Sequence, residues 1–284
     1  MTIVIAQKRN DSVLLLADTK INDPKEIGPD VFPGRLKLVI LDKGMTVAFS
    51  GDADPAGVVL RDAHKVLRKS GPQATIDFLT MSSSDGRTDY VVAAHMPEAR
   101  LLIMRKGGVV EEQNIWAIGD TEPFKELIDK ARDADAQDFF KSELRSRFFD
   151  RLLTNKELGD HIGGFPVAVG ATSKCHRYLF HHGAYTYTFP TLKWGEETHQ
   201  PIDQVYSGDG HFELGIMPPD VPNVPVLGAY SLQARIGYVY SPIENSQAFP
   251  VPLWDQGKPW HGHESEMYDT LRKAITEHVA KVAT

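Results

Sequence analysis

Met1-Thr2-Ile3-Val4-Ile5-Ala6 opens the chain, and after a turn at Asn10-Asp11 the run Val13-Leu14-Leu15-Leu16-Ala17 returns to Asp18. The two runs predict a hairpin over residues 2–9 and 12–20. Most chains have a few frayed residues before their first element, whereas here a strand starting at residue 2 sets Thr2 against a sheet. Threonine is small enough for methionine aminopeptidase to remove Met1, which frees an α-amine beside the Thr2 hydroxyl. That pairing is a self-contained catalyst: the hydroxyl attacks, and the amine, with a reference pKa of about 7.7–8.0, takes its proton.

Beyond the hairpin a loop holds Pro24, Gly28, Pro29, Pro33 and Gly34. Apolar runs Leu36–Leu41 and Met45–Phe49 follow, joined at Asp42-Lys43-Gly44 and read as strands. Val58, Val59, Ala63, Val66 and Leu67 recur near helical spacing and predict a helix from Pro55 to Lys69, stopped by Ser70-Gly71-Pro72. A shorter helix over 73–81 precedes strands at 89–95, 100–105 and 113–118. Helices are expected at 122–133 and 137–156. Strands Val167–Ala171, Tyr178–Phe180 and Tyr185–Phe189 come next, with His181-His182-Gly183 as a turn. Strands separated by helix pairs read as α+β, with two sheets packed face to face and helices outside.

Composition narrows the class. The 42% hydrophobic and 24% charged fractions are those of an ordinary globular protein. A net charge of −7 argues against a nucleic-acid groove, which needs a basic stripe. Cys175 is the sole cysteine, so no internal disulfide forms, as suits a reducing compartment. No run is long enough to span a membrane. The expectation is a cytoplasmic protein with no membrane or nucleic-acid partner.

The order of these segments resembles the proteasome β-subunit and HslV-type peptidase superfamily of N-terminal-nucleophile hydrolases. Thr2-Ile3-Val4 is similar to the mature N-terminus of a catalytic subunit. Val13-Leu14-Leu15-Leu16-Ala17-Asp18-Thr19-Lys20 is similar to the family's second strand, and Asp18 follows Thr2 by 16 residues, as in the family. Val47-Ala48-Phe49-Ser50-Gly51-Asp52 resembles the turn whose backbone N–H is an oxyanion donor. Ile115-Trp116-Ala117-Ile118-Gly119 resembles the turn before the third helix, and Asp160-His161-Ile162-Gly163-Gly164-Phe165 resembles a later Asp-x-x-Ser-Gly-Gly turn.

The resemblance covers about residues 2–190 and implies a four-layer αββα sandwich. It implies Thr2 as nucleophile, Asp18 as a carboxylate that holds the α-amine or a neighbouring cation in place, and Gly51 as oxyanion donor. The family's lysine aligns with Arg35, and a shifted register brings in Lys37; both lie in Arg35-Leu36-Lys37-Leu38-Val39 and share one strand face. Arginine supplies charge but does not give up a proton. Asp120 stands where the family has a serine, and a carboxylate there raises the pKa of the α-amine. Ile162 replaces a second serine, and Asp160 is one residue closer to the glycine pair than the pattern wants.

Residues 191–284 form an extension outside the resemblance. It is rich in Pro, Gly and aromatics, with a strand expected over Leu232–Tyr240 and a helix over Glu264–Ala283 carrying Met267, Leu271, Ile275 and Val279 on one stripe. His261-Gly262-His263 with Glu264 and Glu266 lacks the His-Glu-x-x-His spacing of a zinc peptidase, and no metal or cofactor is expected. Two readings of function follow. One is a threonine hydrolase of a peptide or small amide, working in a homo-oligomer, with a ring as one form and any ATPase partner left open. The other is a subunit of the same fold that has lost catalysis and serves a structural or binding role.

Overall fold

A computed structural model describes residues 2–20, 34–133, 143–154, 162–188, 209–231, 236–245, 247–253 and 264–283. Its fold is mixed α and β, with three antiparallel sheets and four α-helices among the described residues. The first sheet takes β1 (Ile3–Arg9), β2 (Ser12–Ala17), β8 (Ile115–Gly119), β9 (Val167–Thr172) and β10 (His176–Tyr178) in the order β10-β9-β2-β1-β8. Ile3 to Ala6 and Val13 to Ala17 are fully buried, so the uninterrupted apolar runs cover both faces of the central strands.

The second sheet follows chain order: β3 (Leu38–Asp42), β4 (Met45–Gly51), β5 (Thr88–His95), β6 (Ala99–Arg105) and β7 (Gly108–Glu112). Its residues alternate between two cores, as the period of a strand requires. Leu38, Ile40, Ala48, Val91, Ala93, Leu101 and Ile103 join the core shared with the first sheet. Val39, Val47, Phe49, Tyr90, Val92, Leu102 and Met104 pack with α1 (Ala53–Ser82). β1 and β2 lie against β3, β4 and β6. The two helices expected across Ser70-Gly71-Pro72 are contiguous. Only Gly71, at φ 84 and ψ −178, leaves helical geometry, so the break is a kink rather than a loop. A short 3₁₀ turn leads into α2 (Lys125–Asp133), which meets β8 and α3 (Glu143–Thr154).

The third sheet holds β11 (His181–Thr188), β12 (Asp209–Met217), β13 (Leu227–Ser231), β14 (Ile236–Tyr240) and β15 (Phe249–Pro252). His181-His182-Gly183, expected as a turn, lies inside β11, paired in turn with Ile216, Gly215 and Leu214 of β12. One face, with Leu214, Ile216, Leu227, Ala229, Ile236, Tyr238 and Tyr240, joins the main core. The other packs Tyr230, Val239 and Leu253 under α4 (Glu264–Ala283), which buries Met267, Leu271 and Ile275. Each of those three contributes about 1.5–3 kcal/mol. The Cδ1 of Ile275 lies 2.5 Å from where a side chain at Gly228 would begin.

A chain of polar groups crosses between the first two sheets. His95 Nε2 meets the Asp11 carbonyl at 3.2 Å, His95 Nδ1 meets His176 Nε2 at 2.9 Å, and His176 Nδ1 meets Thr46 Oγ1 at 2.8 Å. A carbonyl only accepts, which assigns every proton in the chain. His95 donates through Nε2, His176 donates to His95, and Thr46 donates to His176. A proton added to His176 would sit on Nδ1 and oblige the Thr46 hydroxyl to turn from donor to acceptor. Burial and the neighbouring His95 hold His176 down to about 3, below the ordinary value of about 6.5. The unfolded chain therefore takes up a proton as pH falls below about 6.5 and the native state does not. Stability is fully present above that pH and declines as pH drops towards about 3. At pH 4.5 the expected loss from His176 is about 2–3 kcal/mol relative to pH 7. The urea midpoint of the wild type is expected to fall over this range more steeply than that of His176→Gln, and equal slopes contradict the assignment.

Candidate functional site

Asp18 follows the last residue of β2 and turns its carboxylate into the interior. Its Oδ1 accepts from the backbone N–H of Ile3 at 3.2 Å and from Lys37 Nζ at 2.9 Å, and its Oδ2 accepts from the N–H of Gly163 at 3.3 Å. In return the Asp18 N–H donates to the Ile3 carbonyl at 3.3 Å. The carboxylate is thus clamped to the residue after Thr2. Asp18 and Lys37 expose 0% and 2% of their side chains, so the attraction between them acts with little solvent screening.

Burial pulls both members of the pair towards their neutral forms. The Lys37 ammonium is pushed below its ordinary value by desolvation and by Lys20, with Asp18 opposing. The Asp18 carboxyl is pushed up by desolvation, with Lys37, Ile3 and Gly163 opposing. A buried lysine lowered in this way exchanges a proton with a neighbour more readily than one in water.

Thr2 is buried, 3% exposed, and its carbonyl accepts from the Asp120 N–H at 2.8 Å. β8 runs antiparallel to β1 with Gly119 opposite Ile3. Gly119 has φ +89, and a Cβ there would lie 1.7 Å from the Thr2 carbonyl oxygen and 2.9 Å from Ser50 Oγ. Only glycine fits at this approach. Ser50, near the end of β4, therefore brings its hydroxyl to the same point as Thr2 and Gly119. Gly51 and Gly119 are exposed, so the buried Thr2 lies next to surface.

The seven expected site residues separate into groups. Thr2, Asp18 and Lys37 come together around the start of β1. Gly51 adjoins Ser50, and Asp120 engages Thr2 through its backbone. Arg35 ion-pairs with Asp54 in the first turn of α1, at 2.5 Å, so Lys37 is the cation on Asp18. Asp160 lies outside the described residues, as does His261-Gly262-His263. Two further hydroxyls belong to the site. Ser50 sits inside the quoted Ser50-Gly51 turn, and Thr19 directly follows Asp18. Thr19 Oγ1 accepts from the Phe165 N–H at 2.9 Å and donates to the Phe165 carbonyl at 3.1 Å.

Among the described residues no three His, Cys, Asp or Glu side chains are grouped to hold a metal ion, and no helix is long and apolar enough to cross a membrane. Comparison with known proteins found no family model that matches the chain and no curated protein that matches it.

Proposed function

We propose that this chain is an N-terminal threonine hydrolase of proteasome-like type, a four-layer αββα sandwich that cleaves an amide bond with Thr2. The observation that carries the reading is the buried Lys37–Asp18 pair bonded to the N–H of Ile3, the residue next to Thr2. A buried cation held at that point lowers the cost of forming an alkoxide beside it.

Removal of Met1 frees the Thr2 amine. The Thr2 hydroxyl oxygen then attacks the substrate carbonyl carbon, and its proton passes to the amine. The negative charge that develops on the carbonyl oxygen is met by a backbone N–H at Gly51. Collapse of the tetrahedral adduct breaks the C–N bond, and the departing amine takes the proton. Water then cleaves the resulting ester and restores the threonine. The substrate is a peptide or a small amide, and the working form is a cytoplasmic homo-oligomer. The second reading, a subunit without catalysis, draws on the burial of Thr2 and on Ile162, also buried, in place of a hydroxyl.

Intact mass before and after treatment with an epoxyketone separates the two. Loss of Met1 and gain of one adduct, absent in Thr2→Ala, is the expected result. Thr2→Ala is expected to lower amide hydrolysis roughly 10³-fold or more. A chain that has released Met1 and takes no adduct overturns the hydrolase reading.

A further inference from the structure

The loop that completes the Asp18 site is held by the backbone of Thr19 and Lys20 and by the Thr19 hydroxyl. Residues 162–165 run past the end of β2, and the Gly163 N–H supplies the sole bond to Asp18 Oδ2 among the described residues. Nothing in the sequence of Ile162-Gly163-Gly164-Phe165 makes this loop rigid, since two adjacent glycines have the widest backbone freedom. Its position is fixed from outside. The N–H groups of Thr19 and Lys20 both donate to the Gly163 carbonyl, at 3.3 and 3.2 Å. The Thr19 hydroxyl then closes on both backbone groups of Phe165, accepting at 2.9 Å and donating at 3.1 Å. Thr19 is 0% exposed, and its Oγ1 lies 2.5 Å from where a side chain at Gly164 would begin. A fully buried hydroxyl that both accepts and donates is a fixed strut rather than a solvated surface group.

We propose that Thr19 is a positioning residue, whose buried hydroxyl pins the Gly163–Phe165 turn so that the Gly163 N–H stays on Asp18 and the Asp18–Lys37 pair keeps its orientation beside Thr2. The proposal rests on the hydrolase reading for its consequence in catalysis, and on geometry alone for its effect on the pair. Thr19 itself touches no reacting atom. Its action runs through Gly163 to Asp18 Oδ2, and through Asp18 Oδ1 to Lys37. The charged groups that bear on the pair are Asp18, Lys37 and Lys20. Losing the Gly163 bond weakens the ionised form of Asp18, and with it the support that Asp18 gives the Lys37 ammonium.

The test uses the full chain as wild type, Thr19→Val and Thr19→Ser. Valine keeps the shape and removes the hydroxyl, while serine keeps the hydroxyl. Two readouts are taken. One is the rate of epoxyketone labelling against pH. The other is the titration of Lys37 followed by NMR of ε-¹³C-lysine, its signal assigned by its absence in Lys37→Arg. Thr19→Val is expected to slow labelling about tenfold, the weight of one hydrogen bond to a charged group. It is expected to move the Lys37 titration down by about half a pH unit or more, with Thr19→Ser close to wild type in both. A Thr19→Val titration that overlays wild type overturns the positioning role, whatever the labelling shows. Absence of labelling in the wild type overturns the hydrolase reading instead, and the titration still decides the role of Thr19. If Thr19→Val does not fold, Thr19→Ala is read in its place. In the wild type the Phe165 amide must exchange slowly with solvent, and fast exchange also overturns the proposal.

Discussion

Gly119→Ala is expected to lower the unfolding free energy by about 4 kcal/mol or more, in the range reserved for a few mechanisms, and to abolish labelling of Thr2. Two costs combine. A side chain at φ +89 carries backbone strain of about 1–3 kcal/mol. The new methyl would also lie 1.7 Å from the Thr2 carbonyl oxygen, which is backbone and has no rotamer to escape into. Relief requires β8 to slide away from β1, breaking the Asp120 bond to Thr2 and moving Ser50. Gly71→Ala serves as the comparison, because Gly71 has a similar φ of +84 but nothing within 4 Å of the added carbon. That variant is expected to lose only the strain. Urea unfolding of the two proteins measures the difference, and a Gly119→Ala within about 1 kcal/mol of Gly71→Ala would falsify the close approach.

Lys37→Met is the second large effect. It leaves the Asp18 carboxylate buried and without its cation, a change that costs about 3–5 kcal/mol when one partner of a buried pair is removed. Adding Asp18→Asn removes the stranded charge. The double variant is therefore expected to be more stable than Lys37→Met alone, although it replaces two native residues rather than one. Both variants are expected to lose amide hydrolysis, since neither offers a cation beside Thr2. The informative quantity is the coupling from the double-mutant cycle. Stability losses that simply add would mean that the two groups do not act as a pair.

Much of the architecture can be read from local pattern. Uninterrupted apolar runs flank Asn10, which takes the positive φ of 49 that a tight turn needs, and they give β1 and β2. The i, i+4 stripe of Met267, Leu271 and Ile275 gives the buried face of α4. Other features depend on contacts made far away in sequence. β7 is exposed along most of its length, so it lacks the apolar alternation by which strands are recognised. β12 and β13 bury residues against the main core and α4 across stretches broken by Gly and Pro, which obscures their period. His182 and Gly183 look like turn residues, yet strand pairing with β12 overrides that preference.

The choice between Arg35 and Lys37 could not be made from spacing. A shared strand face holds only where the strand is regular, and β3 starts at Leu38. The segment before it is free to send Arg35 to α1 and Lys37 to Asp18. The role of Thr19 is hidden from local pattern for a related reason. Its partner Phe165 is 146 residues away, and no motif of neighbouring residues signals a bond of that reach.

β1 is laddered on both sides, to β2 and to β8, with its first four residues fully buried. Regions so placed exchange their amides only when the entire molecule opens. Thr2 thus adjoins the slowest part of the protein to come apart, and no local fluctuation separates Ile3 from Asp18 while the rest stays folded. On the hydrolase reading, heat or denaturant is then expected to remove activity in step with the folded fraction, leaving no native-like but idle population. For such a molecule, residual activity is a gauge of how many copies are still intact.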